Sequence, residues 1–243
     1  MTQYKNPPII EAVCEFRFSK EMVWSEDIAE EFFTKISDSF PNKQKRILKN
    51  LQFQTSQEEA KMQMHQKPLH AFWNHDKTML IQLGDRYLSI HALKPYPSWK
   101  KFSPIIEEIY NSLRDLITIQ KFERIGFVYS DKINIPKKSL KIEDYFNFFP
   151  YIGPNLPQNI HLFNISCDIP FEGERDNCRM TLGSTIPDKN EDIAFLLTTD
   201  YFLIDKDSIN ADNALEWVSC AHDHIKELFE GVITDHLKKT FEA

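Results

Sequence analysis

The sequence predicts an α+β protein of two similar halves, with antiparallel strands curved around two long helices. Apolar residues recur at three-and-four spacing in two long stretches, Trp99 to Ile117 and Ala211 to Phe241, the pattern of amphipathic helices. Several short runs alternate apolar and polar residues between turn-forming pairs, as half-buried strands do. The order of elements also repeats: strand, short helix, three or four antiparallel strands, long helix, twice.

Composition narrows the functional classes. Of the 243 residues, 42% are hydrophobic and 27% charged, which suits a folded chain rather than a disordered one. Nineteen Phe against six Gly argue against glycine-rich phosphate loops and for a generous core or an apolar pocket. A net charge of -7 argues against whole-molecule attraction to nucleic acid or anionic membrane. No apolar run approaches the roughly eighteen residues of a membrane span. Met1–Pro8 lacks the basic-then-apolar layout of a secretion signal, so a cytoplasmic location without membrane contact is expected. Cys14, Cys167, Cys178 and Cys220 have no CxxC spacing. Cys14 and Cys220 fall within apolar patterns, so buried free thiols are expected rather than disulfides or zinc ligands.

Along the chain, Asn6-Pro7-Pro8 is a stiff lead-in to a strand over Ile10 to Phe18. Ala12, Cys14, Phe16 and Phe18 lie on one side of it, and Glu11, Glu15 and Arg17 on the other. Ser25-Glu26-Asp27 starts a short helix carrying Ile28, Phe32, Phe33 and Ile36, which Pro41 ends. Lys43–Lys49 reads as a basic connector. Strands follow at about Leu51–Thr55, His70–Asn74, Thr78–Leu83 and Tyr87–Leu93, before Ser98 opens the first long helix. Phe122 to Ile135 starts the second half as a strand with Ile125, Phe127 and Tyr129 on one side. Pro136-Lys137-Lys138-Ser139 leads to a short helix bearing Ile142, Tyr145, Phe146 and Phe149. Strands at Ile160–Pro170, Cys178–Ser184 and Ile193–Leu203 precede the closing helix, a single element roughly thirty residues and about 45 Å long. Asp212 or Asn213 can cap its start.

The two halves, residues 1–120 and 121–243, are expected to pack as one compact unit. Their long helices align Ile109 with Ile225 and Leu113 with Phe229. This order resembles the tandem arrangement of the TATA-binding protein and, within each half, the helix-grip fold. Only architecture follows from that likeness. A DNA-binding saddle would need excess Lys and Arg on its exposed face, so nucleic acid is not an expected partner. Local basic patches at Lys43–Lys49 and Lys137–Lys141 leave nucleic-acid binding along a sheet face as a third reading.

No GxGxxG, Walker, HExxH, GxSxG or EF-hand pattern is present. No catalytic residues, cofactor or metal site are predicted. His222 and His224, two apart on a helix, point about 200° apart and cannot chelate one metal together. His222 aligns with Ile106 on the buried stripe, either as a hydrogen-bonded core histidine or as a pocket acid or base. His91, Tyr96 and Trp99 gather where strand meets first long helix and can cap the core or line a ligand site. Glu11, Arg17, Glu123 and Arg124 sit on the two strand starts, near the axis relating the halves, where they are expected to pair across it. Phe171–Asp192 reads as a long charged loop and a contact candidate.

The opening Asn6-Pro-Pro-Ile-Ile-Glu-Ala-Val-Cys-Glu-Phe-Arg-Phe18, the junction Tyr96-Pro-Ser-Trp99, the central Arg124-Ile-Gly-Phe-Val-Tyr129 and the closing Ala221-His222 through Thr234 resemble a family. It is a sporadically distributed family of uncharacterised prokaryotic proteins of about this length, and the likeness spans the chain. At the junction, Ser98 stands where a glycine would be more typical. The resemblance implies an accessory gene of the mobile or defence type and no activity. The expected function is therefore a non-enzymatic interaction protein of an accessory bacterial system, defence or toxin neutralisation, acting through a protein partner or a homodimer. The alternative is a small-molecule binder or enzyme with a helix-grip-like apolar pocket.

Overall fold

A computed structural model describes residues 4–25, 27–55, 60–137, 141–157, 162–190 and 192–242, with the backbone alone for 47–55 and 60–67. The elements in chain order are β1 (Ile9–Phe18), α1 (Ile28–Ile36), β2 (Asn42–Thr55), β3 (Ala60–Trp73), β4 (Met79–Gly84), β5 (Tyr87–Leu93) and α2 (Trp99–Arg114). After these come β6 (Phe122–Pro136), β7 (Asn164–Phe171), β8 (Asp176–Thr185), β9 (Asp192–Leu203), α3 (Ala214–Val232) and α4 (Asp235–Glu242). The strands form one sheet in the order β2-β3-β4-β5-β1-β6-β9-β8-β7, antiparallel at every pairing. The strands before α2 thus fill one side of the sheet and those after it fill the other. They meet along β1 and β6, with Cys14 opposite Phe127 and Phe16 opposite Ile125.

One face of this sheet carries the core. Alternation in β1 buries Ala12, Cys14, Phe16 and Phe18, and in β6 it buries Ile125, Phe127 and Tyr129. Against them pack Phe32 of α1, Phe102, Ile106 and Ile109 of α2, and Trp217, Ala221 and Ile225 of α3. Each Phe taken fully from water contributes about 1.5–3 kcal/mol, so the Phe-rich composition goes into this layer. A second apolar cluster sits under α4, where Ile133, Phe146, Phe195, Ile233 and Leu237 meet. The alternate residues of each strand face the other way, onto a side that no helix of the described residues covers.

Several expectations need correction. The closing helix is two elements, because Ile233 leaves the helix at φ -92 and ψ 143. There it forms a bridge with Phe146, with Asn147 N–H donating to Val232 O at 2.7 Å and Thr234 N–H to Tyr145 O at 3.0 Å. That exchange also limits the expected short helix at Ile142 to Phe149 to one 3-10 turn, Ile142–Asp144. Both helices stop where Phe146 and Ile233 become fully buried together. Lys43–Lys49 is no connector, since its backbone pairs with β3 throughout. Phe171–Asp192 is not one long loop: the strand expected at Cys178–Ser184 lies within it as β8, an inner strand whose Cys178, Met180 and Leu182 point into the core. Cys220 is exposed, lying off the buried stripe of α3, whereas Cys14 and Cys178 are buried thiols. Glu26, Lys138 and Ser139, the start of the strand expected from Ile160 and the side chains of residues 47–49 lie outside the described residues.

Thr234 holds the break by two bonds of its side chain. Its Oγ1 donates to Asp144 O at 2.5 Å and accepts from Leu237 N–H at 3.3 Å. Replacing a capping threonine by alanine costs about 1 kcal/mol. Thr234→Ala is expected to lose about that much in urea unfolding while Thr234→Ser keeps most of it. Equal losses in both variants would remove the hydroxyl from the account.

Candidate functional site

Three elements converge beside the β1–β6 join and leave a cleft of about 510 Å³. Its floor is Tyr129 and Asp131 of β6, one wall is the first turn of α2, and the other is the middle of α3. The N-terminal segment crosses the mouth. Tyr4 donates from its hydroxyl to Glu230 Oε1 at 2.8 Å, Asn6 N–H donates to Phe241 O at 2.9 Å, and Pro8 O accepts from Lys132 N–H at 2.9 Å.

The register of β1 on β6 shapes the floor. Glu11 faces Ser130, but Ile9 faces Asp131, so Ile10 is an extra residue in a β-bulge. The bulge turns Ile9 to the helix side, where it packs on the core and lines the cleft. The carbonyl of Ile10, left without a ladder partner on β6, accepts from Lys94 N–H at 3.0 Å.

Inside the cleft, Tyr96 and Tyr129 share a hydrogen bond of 2.8 Å between their hydroxyls, and Tyr129 meets His222 Nδ1 at 3.0 Å. The Trp99 ring lies flat on the His222 imidazole, with centroids 4.1 Å apart and planes within 11°. Burial pushes the imidazole down to about 4, so it is neutral at physiological pH. Burial also raises both phenols well above their ordinary range. The chain Tyr96–Tyr129–His222 is therefore an uncharged relay that can donate at one end or the other, according to the tautomer.

Asp131 has no such support. It is 3% exposed and its Oδ1 has no hydrogen-bond partner among the described residues. Burial pushes its carboxyl up from 3.8 to about 8. A second inward-facing aspartate shows what a structural acid looks like in this fold. Asp176, 0% exposed, accepts from Trp217 Nε1–H at 2.9 Å, from the Tyr201 hydroxyl at 3.1 Å and from Arg175 at 2.5 Å. An unbonded buried polar atom costs about 1–3 kcal/mol, so Asp131 is expensive where it stands unless something in the cleft bonds to it.

Comparison of the chain with models of protein families, with curated proteins and with solved structures finds no match. The reading of the cleft therefore rests on its own geometry.

Of the residues singled out by sequence, Tyr96, Trp99 and His222 come together in the cleft. His91 does not. Leu88, Ile90 and Ala92 of β5 point to the helices, so His91 points to the open face, bonded to Glu11 Oε1 and to Ser89 Oγ at 2.8 Å each. Of the four charges assigned to the join, Arg124 bonds across it to Glu15 at 3.1 Å and on to Asp200 at 2.5 Å. Arg17 pairs with the same Glu15 at 2.8 Å. Glu11 and Glu123 pair within their own sides of the sheet, Glu123 with Lys206 at 2.6 Å. Asp131, Tyr4 and Ile9 were not singled out. The signal for Asp131 was the alternation itself, which runs on from Ile125, Phe127 and Tyr129 and puts a carboxyl where an apolar residue belongs. Among the described residues no group of three or more His, Cys, Asp or Glu could hold a metal, and no helix is long and apolar enough to cross a membrane.

Ser98, at the cleft wall, has φ 92 and ψ 154, a conformation that glycine takes freely and serine does not. Ser98→Gly is expected to gain about 1 kcal/mol in urea unfolding, and a loss would contradict the strain.

Asp131 and His222 also set a pH dependence. From about pH 4 to 8 the folded Asp131 holds a proton that the unfolded chain has released, so stability falls as pH rises. From about pH 4 to 6.5 the unfolded imidazole binds a proton that folded His222 refuses, so stability rises with pH. The slopes oppose each other below pH 6.5, and only the Asp131 loss continues to about 8. Asp131→Asn is expected to gain stability over wild type, with the gain growing across this range and levelling off above it. Urea unfolding at about pH 5, 6.5 and 8 reads it, and a gain independent of pH would mean that Asp131 is not held neutral.

Proposed function

We propose that this protein binds a small organic molecule in the cleft between β6, α2 and α3. The observation that carries the reading is Asp131, a buried carboxyl lining the cleft with an unbonded oxygen, while its counterpart Asp176 is fully bonded. A cleft of about 510 Å³ is of the size small ligands occupy. Tyr96, Trp99 and Ile225 supply apolar contact, and Asp131 with the tyrosine–histidine relay supplies polar groups that fix orientation. Binding rather than catalysis is the better reading of His222, because a neutral imidazole stacked on Trp99 and tied to Tyr129 is a poor base. The sheet order, with like-placed strands meeting along β1 and β6, is consistent with two copies of one unit. On that view the cleft lies beside the join.

A protein partner is the second reading, in keeping with an accessory role in defence or toxin neutralisation. It is favoured by β7, an edge strand paired only with β8. Leu162 and Ile186, 79% and 82% exposed, flank the end of that hairpin.

A ligand at about one hundred times its Kd stabilises the fold by about 2.7 kcal/mol, a rise in Tm of roughly 5–10 °C for a chain this long. Thermal unfolding against a panel of aromatic and aliphatic small molecules is expected to show such shifts in wild type and smaller ones in Asp131→Asn. A flat panel, together with a stoichiometric protein complex in native mass spectrometry, would replace the cleft reading with the partner reading.

A further inference from the structure

We infer that the ligand of the cleft is an organic anion, its carboxylate or phosphate seated at the first turn of α2 and its apolar body lying over Ile225 and Phe229. The inference rests on the reading of the cleft as a ligand site and adds the charge of what enters it. Lys5, Lys100 and Lys226 line the cleft, and none has an ion-pair partner among the described residues. The one carboxylate at the rim, Glu230, is already engaged, by the Tyr4 hydroxyl at 2.8 Å and by Lys238 at 3.2 Å. A chain of net charge -7 thus keeps three unneutralised cations around one opening.

The start of α2 repeats the pattern. The N–H groups of Ser98, Trp99 and Lys100 donate to nothing among the described residues, no side chain caps the helix, and its first turn has no acidic residue. Lys100 and Lys101 stand there instead, at the end of the helix dipole where a cation is unfavourable and an anion favourable. Ser98, in its strained conformation, is the residue whose N–H begins this set. Asp131 Oδ1, buried on the cleft floor, is the independent sign of a ligand, since it has no hydrogen-bond partner among the described residues. Held neutral, it can donate to the anion or accept from a hydroxyl on the ligand body.

The test uses one aromatic body with four charges: 1-naphthoate, 1-naphthyl phosphate, 1-naphthol and 1-naphthylmethylammonium, titrated calorimetrically into wild type, Lys100→Gln/Lys226→Gln and Lys35→Gln. The surface lysines can be changed without touching the core, and Lys35, paired with Asp115 at the opposite end of α2, is the control. The expected result is that an anionic probe binds at least about tenfold tighter than naphthol and weakens about tenfold in the double variant, as loss of a charge-assisted bond implies. Lys35→Gln should leave it unchanged, and about 0.5 M salt should weaken it. The preferred anion then separates a carboxylate ligand from a phosphate one. If naphthol or the ammonium probe binds as tightly as the anions, or the double variant behaves like the control, the anion assignment is overturned and the cleft reading survives. If no probe binds wild type at millimolar concentration, both are overturned.

Discussion

The pairing of β1 with β6 is the constraint from which the rest of this structure follows. It joins strands from the two parts of the chain, makes one sheet of nine strands and gives α2 and α3 a common floor. Because side chains alternate along a strand, the register chosen there decides which face every residue of both strands takes. Phe16 opposite Ile125 and Cys14 opposite Phe127 settle it, since a slip of β1 by one residue would put Phe16 and Cys14 on the open side while Ile125 and Phe127 stayed in the core. The same register carries Tyr129 and Asp131 to the helix side. The bulge at Ile10 then swings Ile9 over them, so the cleft floor and the start of the strap above it come from one local irregularity.

Three unfavourable features collect around this cleft. Ser98 holds a conformation suited to glycine, the first turn of α2 carries cations without a cap, and Asp131 Oδ1 is buried without a partner among the described residues. A fold under selection for stability alone would remove each by one substitution, and such local conflicts gather where function imposes them. Asp176 is the control within the same molecule. Its three donors come from Trp217, Tyr201 and Arg175, and it ties α3 to β8 and β9. The fold can satisfy a buried carboxyl, so the unpartnered Oδ1 of Asp131 is a feature of its place.

Much of the architecture was legible because it follows from periodicity. Alternation marked β1, β5 and β6, and three-and-four spacing marked α1, α2 and α3 with the residues they bury. Periodicity failed at Ile233, where one extended residue between two helices leaves the apolar pattern intact while the backbone changes direction. The reason for the break, the bridge to Phe146, lies almost ninety residues away in the chain and has no local signature. Tyr96, Trp99 and His222 were legible as candidates because polar or aromatic residues on a buried stripe stand out. Asp131 was not, since a carboxyl at the end of an alternating run reads as the strand leaving the core. The bulge was invisible for a related reason: it is a property of two strands, and the sequence of either one reads as regular.

The two faces of the sheet handle charge in opposite ways. On the open face, Arg124 sits between Glu15 and Asp200 with its guanidinium 4.5 Å above the Phe202 ring, and Arg179 grips Asp168 with two bonds of 2.8 and 2.7 Å. Gly126 is part of that arrangement, because a Cβ there would lie 3.0 Å from the Arg124 guanidinium. Each cation on that face named here has its carboxylate, and the network closes on itself. At the cleft the lysines at the lining have no ion-pair partner among the described residues, and burial raises the carboxyl of Asp131 to about 8. Charges paired within the protein offer little to a ligand, because binding must first break them apart and desolvate both. Unpaired charges at the mouth of a largely apolar cleft have no such cost. On the proposed reading it is the helix side, and not the broad open face, that takes up a molecule of opposite sign.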